Sequence, residues 1–265
     1  MIVPGQGVYK SIVEHIFQTH YGPGDVEVPF VRDDIVAAAE QLGLKRPKNL
    51  GDVIYSVRYR SDMPESVQDL APEGHEWIIR SAGSGRYKFV AVVPLDLAPN
   101  RTMAVVKIPD ATPGLIAMYA LSDEQALLAK LRYNRLVDVF MGMACYSLQN
   151  HLRTQIERNQ VETDEVYVGV DRRGIHYVIP VQAKGGTDRL SVVQIEQDVA
   201  MCRSKFSAAV CRPVAAQFLG SDQIVLFELT EEDGEIRVVA EKHYLLVSPD
   251  QLSDEELRGY QTRAE

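Results

Sequence analysis

The sequence predicts a mixed α/β protein in two units, and three observations carry that expectation. Apolar residues recur at helical spacing through the first sixty positions, then give way to two β-rich runs joined by Ser81-Ala82-Gly83-Ser84-Gly85. Between Val161 and Phe206 the pattern runs strand, tight turn, strand, helix. Further β-rich runs follow to Val247. Helices interleaved with strands in this way belong to layered α/β or α+β domains.

Composition sets the outer bounds. The chain has 265 residues, 46% hydrophobic and 25% charged, which is enough apolar material for a sizeable core. No run approaches the ~18 apolar residues that a membrane span needs. Residues 1–7 have neither the basic nor the apolar segment of a secretory leader, so a cytoplasmic location is expected. Cys145, Cys202 and Cys211 are odd in number and lack metal-ligand spacing, and they read as buried, reduced thiols. The histidines at 15, 20, 75, 151, 176 and 243 have no metal-binding spacing and read as surface or packing residues. A formal net charge of −9 would count against nucleic acid only if the charge were evenly spread. It is not: Lys45 to Arg60 carries five cations and one acid, while acids collect at 230–235 and 253–256.

The first unit, 1–95, has a definite order of elements. Ile12, Val13, Ile16 and Phe17 place a helix over Tyr9–His20, broken by Gly22-Pro23-Gly24. An extended piece at Val26–Phe30 leads to Arg32-Asp33-Asp34, acids that suit a helix start, and the helix Ile35–Leu42 stops at Gly43. A third helix, Asn49–Arg58, shows Leu50, Val53, Ile54 and Val57 on one face. The runs Glu76–Arg80 and Tyr87–Val93 then make a hairpin with a flexible tip. Helix, strand, helix, helix, hairpin resembles the winged-helix variant of the helix-turn-helix. That resemblance implies a third helix in the major groove of double-stranded DNA and a hairpin tip on the backbone or in the minor groove. The residues it nominates for DNA are Lys45, Arg46, Lys48, Tyr55, Arg58 and Arg60, with Arg86 and Lys88 from the wing. Winged helices also serve as protein-interaction modules, which is the rival reading.

A linker at 96–120, rich in Pro and Gly, frames an apolar strand at Met103–Ile108. The second domain, 121–265, opens with Ser122 and Gln125 at capping-box spacing, followed by a helical region to about Asn159 that breaks near Tyr133. Strands at Glu165–Val170 and Ile175–Lys184 flank a turn in which Gly174 supplies positive φ. Pro180 inside the second strand demands an edge or a bulge. A helix opens near Asp188 and runs to about Phe206, and strands follow at Val214–Leu219, Ile224–Leu229, Ile236–Val239 and His243–Val247.

Paired as a hairpin, the first strand starts beside the end of the second. Residues two apart in a strand share a face, so Asp164, Gln182 and Lys184 should converge at one end of the sheet. A carboxylate, an amide oxygen and an ammonium together suit a hard cation and a positioned water.

Asp164 followed by Gln182-Ala183-Lys184 resembles the PD-(D/E)xK nuclease superfamily, in its Gln-x-Lys variant found in Mrr-like restriction endonucleases. The resemblance implies an αβββαβ core and Mg²⁺ held by Asp164, Gln182 and the Ala183 carbonyl. It implies too that Lys184 orients the attacking water, with Gln194 on the next helix accessory. Glu162 and Glu165 are the other candidate acids; Glu162 shares the pleat face of Asp164 and Glu165 points the other way. The expected activity is that of a magnesium-dependent DNA endonuclease, most simply a restriction enzyme. A DNA-repair nuclease and a non-catalytic DNA-binding regulator are the alternatives. Since one such centre cuts one strand, a homodimer is expected, with Leu136–Leu148 as a candidate interface or as core.

Overall fold

The computed structural model describes residues 6–59, 61–119, 124–156, 159–185, 190–220 and 223–262. The architecture mixes helices and strands, as the sequence pattern requires. Two units divide the chain: 1–95 with 155–160 and 191–193, and the remainder.

In the first unit, Gln6–His20 (α1) leads through Glu27–Val31 (β1) to Arg32–Gln41 (α2), Leu50–Tyr59 (α3) and the single turn Glu65–Gln68 (α4). Glu76–Ser81 (β2) and Arg86–Val92 (β3) form the hairpin, and β1 adds to it in the order β1-β3-β2, all antiparallel. The helical stripe of α1 does what its spacing predicts: Ile12, Val13, Ile16 and Phe17 are buried against Ile35, Val53, Ile54, Trp77 and Phe89. Phe17 meets Trp77 and Phe89 edge-on at 5.0 Å, a favourable ring geometry. Asp34 Oδ2 accepts from the Val31 N–H at 2.7 Å and Asn49 Oδ1 from the Gly51 N–H at 3.1 Å, so polar side chains satisfy the openings of α2 and α3.

The second unit is an eight-stranded mixed sheet. The stretch 96–120, read above as linker, supplies Val105–Pro109 (β4), which pairs in parallel with the last strand, and then Gly114–Tyr119 (α5). Glu124–Tyr133 (α6) and Leu136–Met141 (α7) follow, and Gly142, at φ 65°, closes α7 in the left-handed conformation. From there the expectation of helix to Asn159 fails: Ala144–Ile156 is a strand (β5). It lies at the sheet edge with few buried side chains, so it lacks the apolar alternation that would have marked it. The strands Asn159–Val170 (β6), beside β5, and His176–Lys184 (β7) follow; β6 and β7 pair antiparallel, with Gly174 at φ 80° in the turn between them. Val192–Lys205 (α8) then crosses over to Val210–Cys211 (β8) and Val214–Phe218 (β9), both parallel to β7. Gln223–Glu232 (β10), Glu235–Val247 (β11), a turn of 3-10 helix at Pro249–Gln251 and Asp254–Gln261 (α9) end the described chain. The sheet order is β4-β11-β10-β9-β7-β6-β5.

Pro180 sits where the partner of β7 changes. Val178 pairs with Cys211 and Val181 with Val214, so Pro180 falls opposite the break at Arg212-Pro213, where no ladder donor is needed. Leu127, Leu128, Leu131, Leu136 and Val137 cover one sheet face, against Ile179, Val181, Ala183, Val214 and Leu226. The apolar stripe at 136–148 is therefore not an outward helical face: Leu136 and Val137 are core, and residues from Ala144 on are strand.

Candidate active site

The C-terminal end of β7 is where the structure brings candidate residues together. Lys184 Nζ reaches Glu124 Oε1 at 3.2 Å, a contact between residues sixty positions apart that joins β7 to the first turn of α6. Asp164, on β6, accepts the Ala183 N–H through Oδ2 at 2.8 Å. Burial pushes the Asp164 carboxyl above its ordinary pKa; the Ala183 N–H, Lys184 and His151 pull it down, and Glu124 adds to the rise. Asp164, Lys184 and Glu124 thus share one electrostatic neighbourhood. Glu124 is the member that sequence reasoning missed. An acid in a first helical turn reads as a partner of the helix dipole, and its position relative to Lys184 is set by packing alone.

Gln182 is placed differently from the expectation. It faces α8 at 1% exposure, donating through Nε2 to Asp198 Oδ2 at 2.9 Å and to the Glu162 carbonyl at 3.1 Å. Gln194 Nε2 donates to its Oε1 at 3.5 Å. Its Nε2 thus links β6, β7 and α8 from a buried position. Ala183 offers its N–H to Asp164. Asp198, fully buried, also accepts from Thr163 Oγ1 at 2.5 Å, and desolvation raises its carboxyl to about 7. Asp164 adds to the rise at Asp198. Upward shifts of this kind concentrate where function requires them.

The remaining candidate acids are committed to ion pairs. Glu165, at 0% exposure, takes Arg132 Nε and Nη2 at 3.0 Å each and the Ser147 hydroxyl at 2.5 Å. Glu162 pairs with Arg153 at 2.5 Å. Glu165 is thus the buried half of an ion pair whose guanidinium stays partly exposed.

Could a divalent ion sit here? No group of three or more His, Cys, Asp or Glu side chains among the described residues is placed to hold one. Magnesium, however, commonly takes one or two carboxylates and completes its shell with water and substrate oxygens. Hydrogen bonds among the described residues engage Asp164 through Oδ2 and Glu124 through Oε1, and leave Asp164 Oδ1 and Glu124 Oε2 out of those bonds. That donor set fits.

In the first unit the nominated residues separate into two kinds. Lys45, Arg46 and Lys48 are exposed in the segment before α3, Tyr55 is exposed on α3, and Arg86 is exposed at the hairpin tip. Arg58, by contrast, donates through Nε to the Ile79 carbonyl at 2.8 Å and ties α3 to β2, and Lys88 is paired with Glu27 at 2.5 Å. Arg60 and the Ser122 cap lie outside the described residues. No helix among the described residues is long and apolar enough to cross a membrane.

No protein-family model matches the chain, and no curated protein or solved structure is significantly similar to it.

Proposed function

We propose that the chain is a magnesium-dependent deoxyribonuclease that hydrolyses phosphodiester bonds of double-stranded DNA in the manner of a restriction endonuclease. In this reading the first unit acts as a winged-helix-like DNA-binding module. The observation that carries the proposal is the meeting of Asp164, Glu124 and Lys184 at the end of β7. Topology supports it as well. Helix, three neighbouring strands, crossover helix and a strand parallel to the third is the αβββαβ order, with the acid and the lysine on neighbouring strands.

Asp164 and Glu124 would hold the ion, and magnesium would supply Lewis-acid polarisation of the scissile phosphate. Lys184 Nζ donates hydrogen bonds at the same spot, where it orients an attacking water and balances charge that grows on the phosphoryl oxygens. Ala183, through its N–H, fixes the rotamer of Asp164. Gln182 and Asp198 act from behind, anchoring α8 to the strands that carry the site. A double-strand break by such a centre takes two copies, hence a homodimer.

Asp164→Asn and Glu124→Gln should each lower plasmid cleavage by roughly 100-fold or more while DNA binding stays within a few fold. Undiminished cleavage in both variants removes the proposal. The burial of Gln182 favours one rival, a DNA-binding regulator with a silent nuclease-like core, which predicts binding without cleavage by the wild-type chain.

A further inference from the structure

Cys202 on α8 and Cys211 on β8 are nine residues apart in the chain. The fold makes their thiols neighbours on the wall of one cavity. The connection is held by the Phe206 N–H on the Cys202 carbonyl at 2.8 Å and the Ala209 N–H on the Phe206 carbonyl at 2.9 Å. At the far end, β8 is fixed to β7 by the pairing of Cys211 with Val178 and by the Arg212 N–H on the Val178 carbonyl at 3.0 Å. Both cysteines line one cavity of about 310 Å³, together with Arg203, Ser207, Thr230 and Glu231. Their access differs: Cys211 is half-buried and Cys202 is buried. Cys145, the third cysteine, is buried against Gly169, elsewhere in the sheet. An odd count with no motif spacing hid this pair, because the return of β8 beside α8 makes it.

We propose that Cys202 and Cys211 form a dithiol–disulfide site that a low-molecular-mass disulfide, such as oxidised glutathione, converts to its bonded form. Cys211, the reachable thiol, attacks one sulfur of the disulfide as thiolate; the sulfur–sulfur bond breaks, and one glutathione leaves as thiolate and takes up a proton. Cys202 then loses its proton to solvent and attacks the Cys211 sulfur. That step forms the Cys202–Cys211 bond and expels the second glutathione. Two protein thiols are oxidised by two electrons, and one glutathione disulfide is reduced to two thiols. The bond ties the C-terminal half of α8, the helix that also bears Gln194 and Asp198, to β8. The site stands independently of the nuclease reading.

The test uses the full-length wild-type chain. It is incubated with excess oxidised glutathione, remaining thiols are alkylated under denaturing conditions, and tryptic peptides are mapped by mass. Arg203 and Lys205 lie between the two cysteines, so trypsin leaves them on separate peptides joined only by the new bond. The expected result is a Cys202–Cys211 cross-link with Cys145 alkylated, reversed by dithiothreitol. Cys202→Ser should instead accumulate a glutathione adduct on Cys211. Three alkylated thiols in the wild-type chain, or a wild-type adduct on Cys211 with no cross-link, would overturn the proposal.

Discussion

Asp198 offers a perturbation whose size follows from its surroundings. Its carboxyl is raised from an ordinary 3.8 to about 7 because burial outweighs the two hydrogen bonds from Thr163 and Gln182. Between those values the native state holds a proton that the unfolded chain has released. Stability from this group is therefore greatest below about pH 4 and falls as pH rises towards 7. The interval corresponds to on the order of 4 kcal/mol, carried in full at pH 8. Asp198→Asn removes the titration and keeps the geometry. The new amide oxygen accepts from Gln182 Nε2, and its NH₂ donates to Thr163 Oγ1 once that hydroxyl turns. Urea unfolding across pH 4–8 measures the difference, followed by circular dichroism because the single tryptophan, Trp77, belongs to the other unit. Wild type and variant should agree within about 1 kcal/mol at pH 4, and the variant should be more stable at pH 8 by roughly 2–4 kcal/mol. Other titrating groups contribute equally to both chains and cancel. Parallel pH profiles would show that Asp198 is not a buried acid of this kind.

Three further outcomes are expected. Arg132→Met leaves Glu165 buried with only the Ser147 hydroxyl, so urea unfolding at pH 7 should show a loss of about 3–5 kcal/mol; a loss below about 1 kcal/mol would contradict the ion pair's role. Gln182→Glu deletes the amide donor to Asp198 and the Glu162 carbonyl, and should destabilise by roughly 1–3 kcal/mol without raising activity. A stable and more active variant would return Gln182 to the ligand set. Replacing Lys45, Arg46 and Lys48 together by Glu should weaken DNA binding and flatten the slope of log affinity against log salt by about 2–3. Filter-binding titrations at several salt concentrations read this directly, and an unchanged slope would mark these cations as ordinary solvated surface.

Where an element buries a regular apolar face, the sequence announced it. The stripe Ile12, Val13, Ile16 and Phe17, the hairpin signalled by Gly83 and Gly85, and the turn at Gly174 each depend on local spacing or a local backbone requirement. The edge strand β5 was misread as helix because its side chains are mostly exposed and leave no alternation, though Gly142 marked where the preceding helix stops. The candidate site divides along the same line. Asp164 and Lys184 could be named because a hairpin brings near neighbours together. Glu124 could not, since its contact with Lys184 depends on how α6 packs over the sheet. For Gln182, strand parity predicted a face shared with Asp164 and Lys184, but Lys184 turns to Glu124 on α6 while Asp198, one turn beyond Gln194 on α8, claims the Gln182 amide. Among the basic residues, charge alone could not separate Arg58, which serves the fold, from Lys45, Arg46 and Lys48.

The central claim is that the cluster at the end of β7 cuts DNA. Purified wild-type chain and Lys184→Ala, each with Mg²⁺, should be incubated with plasmid and phage DNAs, methylated and unmethylated, and binding measured in parallel. The account predicts discrete fragments from the wild type and none from Lys184→Ala, with the two proteins binding DNA within a few fold of each other. Binding without cleavage by the wild type on every substrate, or undiminished cleavage by Lys184→Ala, would contradict it.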